Sequence, residues 1–282
     1  MRWLWIPIVA AGCGSATPPC EVNGDCPAGL ACAADHECHA TDAAPLPDGG
    51  ADAAAPCQPD HDGAIARDEV VILVPASITF RVSGETPVAL TGTHWDFSGA
   101  LAGDRDVAIE TAPVAGEWFA AEFPAGQFTT PLAGPGDLLG VYDASAPAAV
   151  AVLGAASRMP GLQRTELVYD PPVDAFELPL HPGQHWEGQS TVSGTAQGVP
   201  ALFTDSYTSD VDASGEVVTP YGTFPVLRLR LQLSHTVGLV TTTTLTYAFV
   251  AECFGTVATV TGRTNDTMPE FTTAAEVRRL VP

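Results

Sequence analysis

The sequence predicts a mainly β protein, an antiparallel β-sandwich or partly open β-barrel with few short helices. Three observations carry this. Short β-branched runs recur, each ended by Pro or Gly; two long segments alternate apolar and polar residues; and no stretch of helical length carries a 3.6-residue apolar stripe. Twenty-seven glycines and twenty-five prolines punctuate the chain at intervals that suit many short strands.

In chain order, the runs Glu69–Val74 and Ser77–Val82 read as the first strands. Val226–Ser234 alternates strictly, with Leu227, Leu229, Leu231 and Leu233 on one face and Arg228, Arg230 and Gln232 on the other. That pattern predicts a half-buried antiparallel strand. Thr241–Val250 repeats it with Leu245, Tyr247 and Phe249 pointing inward, and Gly255–Thr261 adds a last β-branched run. Two β-rich halves, 64–160 and 161–282, meet near Met159-Pro160-Gly161.

Within these halves stand Trp95-Asp96-Phe97-Ser98, Gly140-Val141-Tyr142, Tyr169-Asp170-Pro171-Pro172, Leu178-Pro179-Leu180 leading to Trp186, and Thr219-Pro220-Tyr221-Gly222-Thr223-Phe224. With a late Tyr247-Ala248-Phe249, this order resembles a group of uncharacterised secreted bacterial β-proteins over most of residues 90 to 262. The resemblance implies export and β structure and brings no catalytic residues.

The first twelve residues read as an export signal: Arg2 gives the positive start and Trp3–Ala10 a short apolar run interrupted by Pro7. That run is too short to cross a bilayer as a helix, which takes about 20 residues. Ala10-Ala11-Gly12-Cys13 resembles the bacterial lipobox, in which the cysteine becomes the first mature residue and carries lipid. A plain signal cut before an ordinary thiol is the competing reading. The resemblance implies that Cys13 is the lipid anchor of a protein that sits on a membrane without spanning it. Gly14 in place of Asp implies the outer membrane or cell surface.

Residues 13–38 then carry Cys20, Cys26, Cys32 and Cys38 at equal spacing, in a segment with almost no large apolar side chains. An exported module this small holds itself by disulfides, of which four cysteines allow three connectivities. It resembles the short Cys-rich module that follows the lipobox in bacterial surface lipoproteins. Zinc held with His36 and His39 competes, although zinc modules favour closer cysteine pairs. Residues 39–63 are mostly Ala, Pro, Asp and Gly and read as an extended tether. Cys57 near its end and the lone Cys253 pair by elimination, pinning the tether to the body.

Composition excludes several functions. With 33 acids against 11 bases the net charge is -22, which argues against nucleic acid or an anionic lipid headgroup as the main partner. Every base is arginine, so a Walker A loop, a Schiff base and a kinase site are ruled out. Asp210–Gly215 matches the first half of a calcium loop, but the twelfth position is Tyr221, so a hairpin turn is the better reading. His181, His185 and Glu187 could face zinc, yet Pro182 and Gly183 forbid the helix that such a pair uses and leave a loop. Trp95, Trp118 and Trp186 are core or, if exposed, a sugar platform. No Gly-x-Ser-x-Gly elbow occurs.

The expected function is therefore non-enzymatic, with no cofactor or metal: a membrane-anchored lipoprotein displaying a β-domain to a protein, glycan or lipid partner, or serving as surface structure. The alternative is a carrier of lipid or another hydrophobic ligand. Its mark would be an apolar cavity beside the Leu227–Leu233 face. A hydrolase with a dispersed site comes third.

Overall fold

A computed structural model describes residues 57–70, 72–132, 138–266 and 268–282, together with the backbone of residues 30–32 and 38–40. The chain divides into two units, Met1–Ala55 and Pro56–Pro282. In the first, β1 (Leu30–Cys32) pairs antiparallel with β2 (Cys38–Ala40), setting Cys32 opposite Cys38 along the backbone. Cys13, Cys20, Cys26 and the side chains of Cys32 and Cys38 lie outside the described residues, so the lipid and disulfide expectations there are untouched.

The β-branched runs of the second unit become β3 (Ala76–Ser83), β6 (Arg105–Pro113), β7 (Phe128–Pro131), β8 (Leu138–Asp143), β9 (Ala149–Ser157) and β10 (Glu166–Glu177). They continue as β11 (His185–Ala196), β12 (Val199–Val218), β13 (Thr223–Val237), β14 (Val240–Ala251), β15 (Gly255–Thr261) and β17 (Glu276–Leu280). The short β4 (Thr86–Pro87), β5 (His94–Asp96) and β16 (Thr273–Ala274) lie in the connections. Strand pairing runs from β3 through β6 to β15, then to β17, and β17 returns to β3. Twelve antiparallel strands therefore close a barrel. The mainly β expectation holds, and the barrel is closed where a sandwich or partly open barrel was expected. Closure leaves its twelve strands without a free edge to manage. The two halves read from the sequence are two arcs of this ring.

Local chemistry fixes the tight turns. Between β11 and β12 the turn is two residues long, with positive φ at both Gln197 (50°) and Gly198 (79°), as a type I′ turn requires. A Cβ on Gly198 would sit 2.1 Å from the Leu162 carbonyl, so this hairpin can press against the β9–β10 loop only with glycine there.

Residues opposite one another across the ladders share a face, which distinguishes inside from outside. Leu227 and Leu229 face Val250 and Ala248, and pack with Phe128, Val150, Phe176 and Trp186 from the far arc. That face is the lumen. Arg228, Phe249, Ala258 and Arg279 line up on the other face. The connection from β3 to β6 and residues 263–275 cover it with Leu90, Trp95, Phe97 and Phe271. Leu245, Tyr247 and Phe249 are thus buried as expected but on the outer face, a correction to the inward assignment. Both sides of β14 are covered, so burial alone could not tell them apart.

The run Glu69–Val74 is not a strand. The described residues there are a 3₁₀ turn at Arg67–Glu69 followed by irregular chain at Val70 and at residues 72–75. Residues 57–70 and 72–75 form a strap across one end of the barrel. Ile65 exchanges two backbone hydrogen bonds with Leu180, Arg67 donates to the Ala144 carbonyl at 2.9 Å, and Cys253 donates its N–H to the Glu69 carbonyl at 2.8 Å. Cys57 and Cys253 are joined by a disulfide.

Candidate functional site

The strap does not fill the lumen. Between it and the β3–β10 arc lies a cavity of about 540 Å³, within the range of small-molecule sites. Val150 on β9 and Thr256 on β15 both line it, and these strands stand opposite in the ring, so the cavity is the barrel interior. Its wall is Ile78, Phe80, Phe128, Phe176, Val250 and Leu280, with Val70 and Ile72 contributed by the strap. The cavity opens at the strap end, where Leu73, Tyr221, Phe254 and Ile78 are each about half exposed.

Polar groups in this wall are few. Thr111, Thr130, Tyr142, Tyr221 and Thr256 supply hydroxyls, which can orient a ligand that apolar contact holds. Tyr142 stacks on Phe128 with ring centroids 5.2 Å apart, and burial pushes its hydroxyl up to about 12, so it is a neutral donor at any physiological pH. Gly140 keeps room for that ring: a Cβ there would meet Tyr142 and Leu132 at 2.7 Å.

Further along the inner face, toward the opposite end, sits a polar group. Asp205 is buried; Tyr169 donates to its Oδ2 at 3.1 Å, and His235 Nδ1 lies 2.7 Å from its Oδ1. Burial pushes the hydroxyl of neighbouring Tyr207 up to about 12 and that of Tyr169 above the ordinary tyrosine range. The carboxylate is thereby satisfied by two donors, which makes burial tolerable. Among the described residues, Asp205 is the hydrogen-bond partner of the His235 ring, and the arrangement lacks a nucleophile set for a base.

At the strap, Asp60, Glu69 and Glu252 bring carboxylate oxygens within 4.8 Å of one another. Oxygen donors of this kind suit a hard cation. Glu69 is already committed, since its Oε2 accepts the Ala66 N–H at 2.8 Å, and His61 lies 3.4 Å from Glu252.

The sequence candidates are placed as follows. Asp210–Gly215 is neither calcium loop nor hairpin turn: it lies within the continuous twenty-residue β12, with a bulge between Val211 and Ala213. The acids have partners on the outer face. Asp212 binds Arg228 at 2.8 and 3.0 Å, and Asp210 takes Arg230 and His185, each at 2.8 Å. Burial alone would raise the Asp210 carboxyl, but these hydrogen bonds hold it below the usual range. His181 is in a loop and His185 opens β11, facing Glu187 at 3.6 Å as well as Asp210. Trp95 and Trp186 are buried, donating to the Leu90 and Asp174 carbonyls, and Trp118 is half buried, donating to Ser157. Leu227 and Leu229 sit in packed lumen, so the cavity lies against the opposite arc from the face that was expected to line it.

An apolar cavity was anticipated for the carrier alternative but on the wrong wall, and sequence reasoning missed the strap and the Asp205 group. A wall drawn from nine separate strands and a free run leaves no local motif. The one usable signal was an unbroken apolar run before Pro75 that alternates with nothing. Among the described residues, no helix is long and apolar enough to cross a membrane. No family model matches the chain, and comparison with curated proteins finds no match. The chain is similar to a crystal structure of a Bacteroides fragilis protein with a YmcC-like fold, at 13% identity over 74% of this chain and 94% of that one, with a TM-score of 0.37. A likeness of that size assigns neither fold nor function.

Proposed function

We propose that this chain is a non-enzymatic exported protein, tethered to a membrane through lipid on Cys13, whose barrel takes up a small apolar or amphiphilic molecule at the strap end. The observation that carries this is the open apolar cavity of about 540 Å³ where a packed barrel would have side chains. Protein interiors are normally filled to crystal-like density, so a void of this size costs stability and is retained for use. It moves the carrier reading ahead of display of a surface for a protein or glycan partner. The burial of Trp95 and Trp186 weakens the sugar platform. The few hydroxyls of the wall suit a ligand with one polar group.

The test uses the full chain purified without detergent and titrated with N-phenyl-1-naphthylamine, a neutral apolar dye. Saturable binding is expected, together with at least about a tenfold loss in Ala175→Trp, whose indole would occupy the cavity. Near-ultraviolet circular dichroism checks that the variant keeps its packing. Absence of dye binding, or equal binding by a folded Ala175→Trp, sinks the proposal.

A further inference from the structure

The barrel end opposite the strap carries a second feature. In an antiparallel ring successive turns alternate between ends, so the β9–β10 loop and the β11–β12 and β13–β14 hairpins project together, away from the cavity mouth. Their tips hold Leu162 and Leu239, which are 97% and 103% exposed, and also Met159, Val199, Leu202 and Val240, all well exposed. The three segments are spatially continuous: Gly198 donates to the Arg164 carbonyl at 3.0 Å, and Thr204 pairs with Thr236.

Charge gives the second observation. Residues 158–165, 195–204 and 236–243 contain no Asp or Glu, in a chain that has 33 of them. The charges present in them are Arg158 and Arg164, which pair with Glu110 at 3.2 Å and Glu166 at 3.3 Å just outside these segments. Large aliphatic side chains at hairpin tips that carry no acid of their own, with the two nearby arginines paired, suit an interface with lipid. The residue types agree. Protein interfaces centre on aromatic anchors, whereas the well-exposed large side chains of these tips are Leu, Val and Met. We infer that the three hairpin tips insert into the interfacial layer of a lipid bilayer. This surface is distinct from the cavity and stands or falls independently of it.

The experiment uses the full chain carrying Cys13→Ser, so that no acyl group contributes, with phosphatidylcholine vesicles. In this background Leu239→Trp is expected to show tryptophan quenching by brominated acyl chains beyond that of its parent. Leu162→Asp with Leu239→Asp is expected to lower vesicle partitioning in flotation by about tenfold or more, with unchanged thermal unfolding. Both substituted side chains are fully in solvent, so the fold should tolerate them. Lack of added quenching, or partitioning unaffected by the two aspartates, overturns the inference. So does a concentration-dependent dimer that the aspartates abolish while vesicle partitioning is unchanged, which would assign the tips to a second copy of the chain.

Discussion

The two faces of the β12–β14 arc are built on opposite plans. On the outer face the core is dense: Trp95 and Phe97 pack on Phe249 with centroids 5.0 and 5.4 Å away, and Tyr247 packs on Phe271. Arg228 lies inside this layer, over the rings of Trp95 and Tyr247, paired with Asp212 and donating to the Leu90 carbonyl. Arg279 is fully buried beside Asp104, and burial pulls its pKa below the ordinary arginine value. The lumen, by contrast, is filled in one arc and open in the other. The difference separates two tasks that a small barrel usually combines. Stability resides between the sheet and the connections laid over it, which leaves the interior free to hold something else.

The sharpest way to break this comparison is on the outer face. Phe249→Ala is expected to cost about 3–5 kcal/mol, and Arg228→Ala a similar amount, because the latter takes the guanidinium from Asp212 and leaves a gap between the Trp95 and Tyr247 rings, the Leu90 carbonyl keeping the Trp95 indole as its donor. Urea unfolding with an unchanged slope measures both. Ile78→Ala, on the cavity wall and 40% exposed, is expected to cost about 1 kcal/mol or less in the same assay. Equal losses at Phe249 and Ile78 would show that the lumen is no looser than the outer core.

The smallest effect sharpens the edge of the outer layer. The hydrogen bond to Asp210 raises the His185 pKa above its ordinary 6.5, with smaller help from Glu187. A raised folded-state pKa means that protonated His185 favours the fold below about pH 6.5 and that this contribution fades as pH climbs through the folded value. Because the ring is half exposed, the effect on stability is slight. Proton NMR of the ring should give a midpoint above 6.5 that falls toward the ordinary value in Asp210→Asn. An unchanged midpoint would remove Asp210 as the cause.

Strand identity was legible where one rule sufficed. The alternation of 226–234 and the β-branched run 255–261 became β13 and β15 because period-two patterning needs only a sheet. What failed were inferences about what covers a face. Arg228 reads as a solvent arginine in the pattern, and only the connection from β3 to β6, laid over it from elsewhere in the chain, makes it buried. The run before Pro75 has full strand propensity but finds no ladder, since β3 is already paired on both sides by β6 and β17. Propensity yielded to topology there. The cavity is a matter of distances between nine strands, to which no single residue points. The Asp205 group needs Tyr169 and His235, which lie 36 and 30 positions away.

The disulfide at the strap also sets how the molecule bears load. A pull on the chain ahead of Cys57 passes through the sulfurs straight to the turn between β14 and β15, bypassing the strap and β3. The covalent loop between the two cysteines holds β3 to β14, so a tug from that side does not act on the strap or on β3. Force instead enters at a turn bounded by two paired strands, where it must shear many hydrogen bonds at once. The body is fastened to its leader like a knot tied to the hoop of a cask and not to the end of one stave.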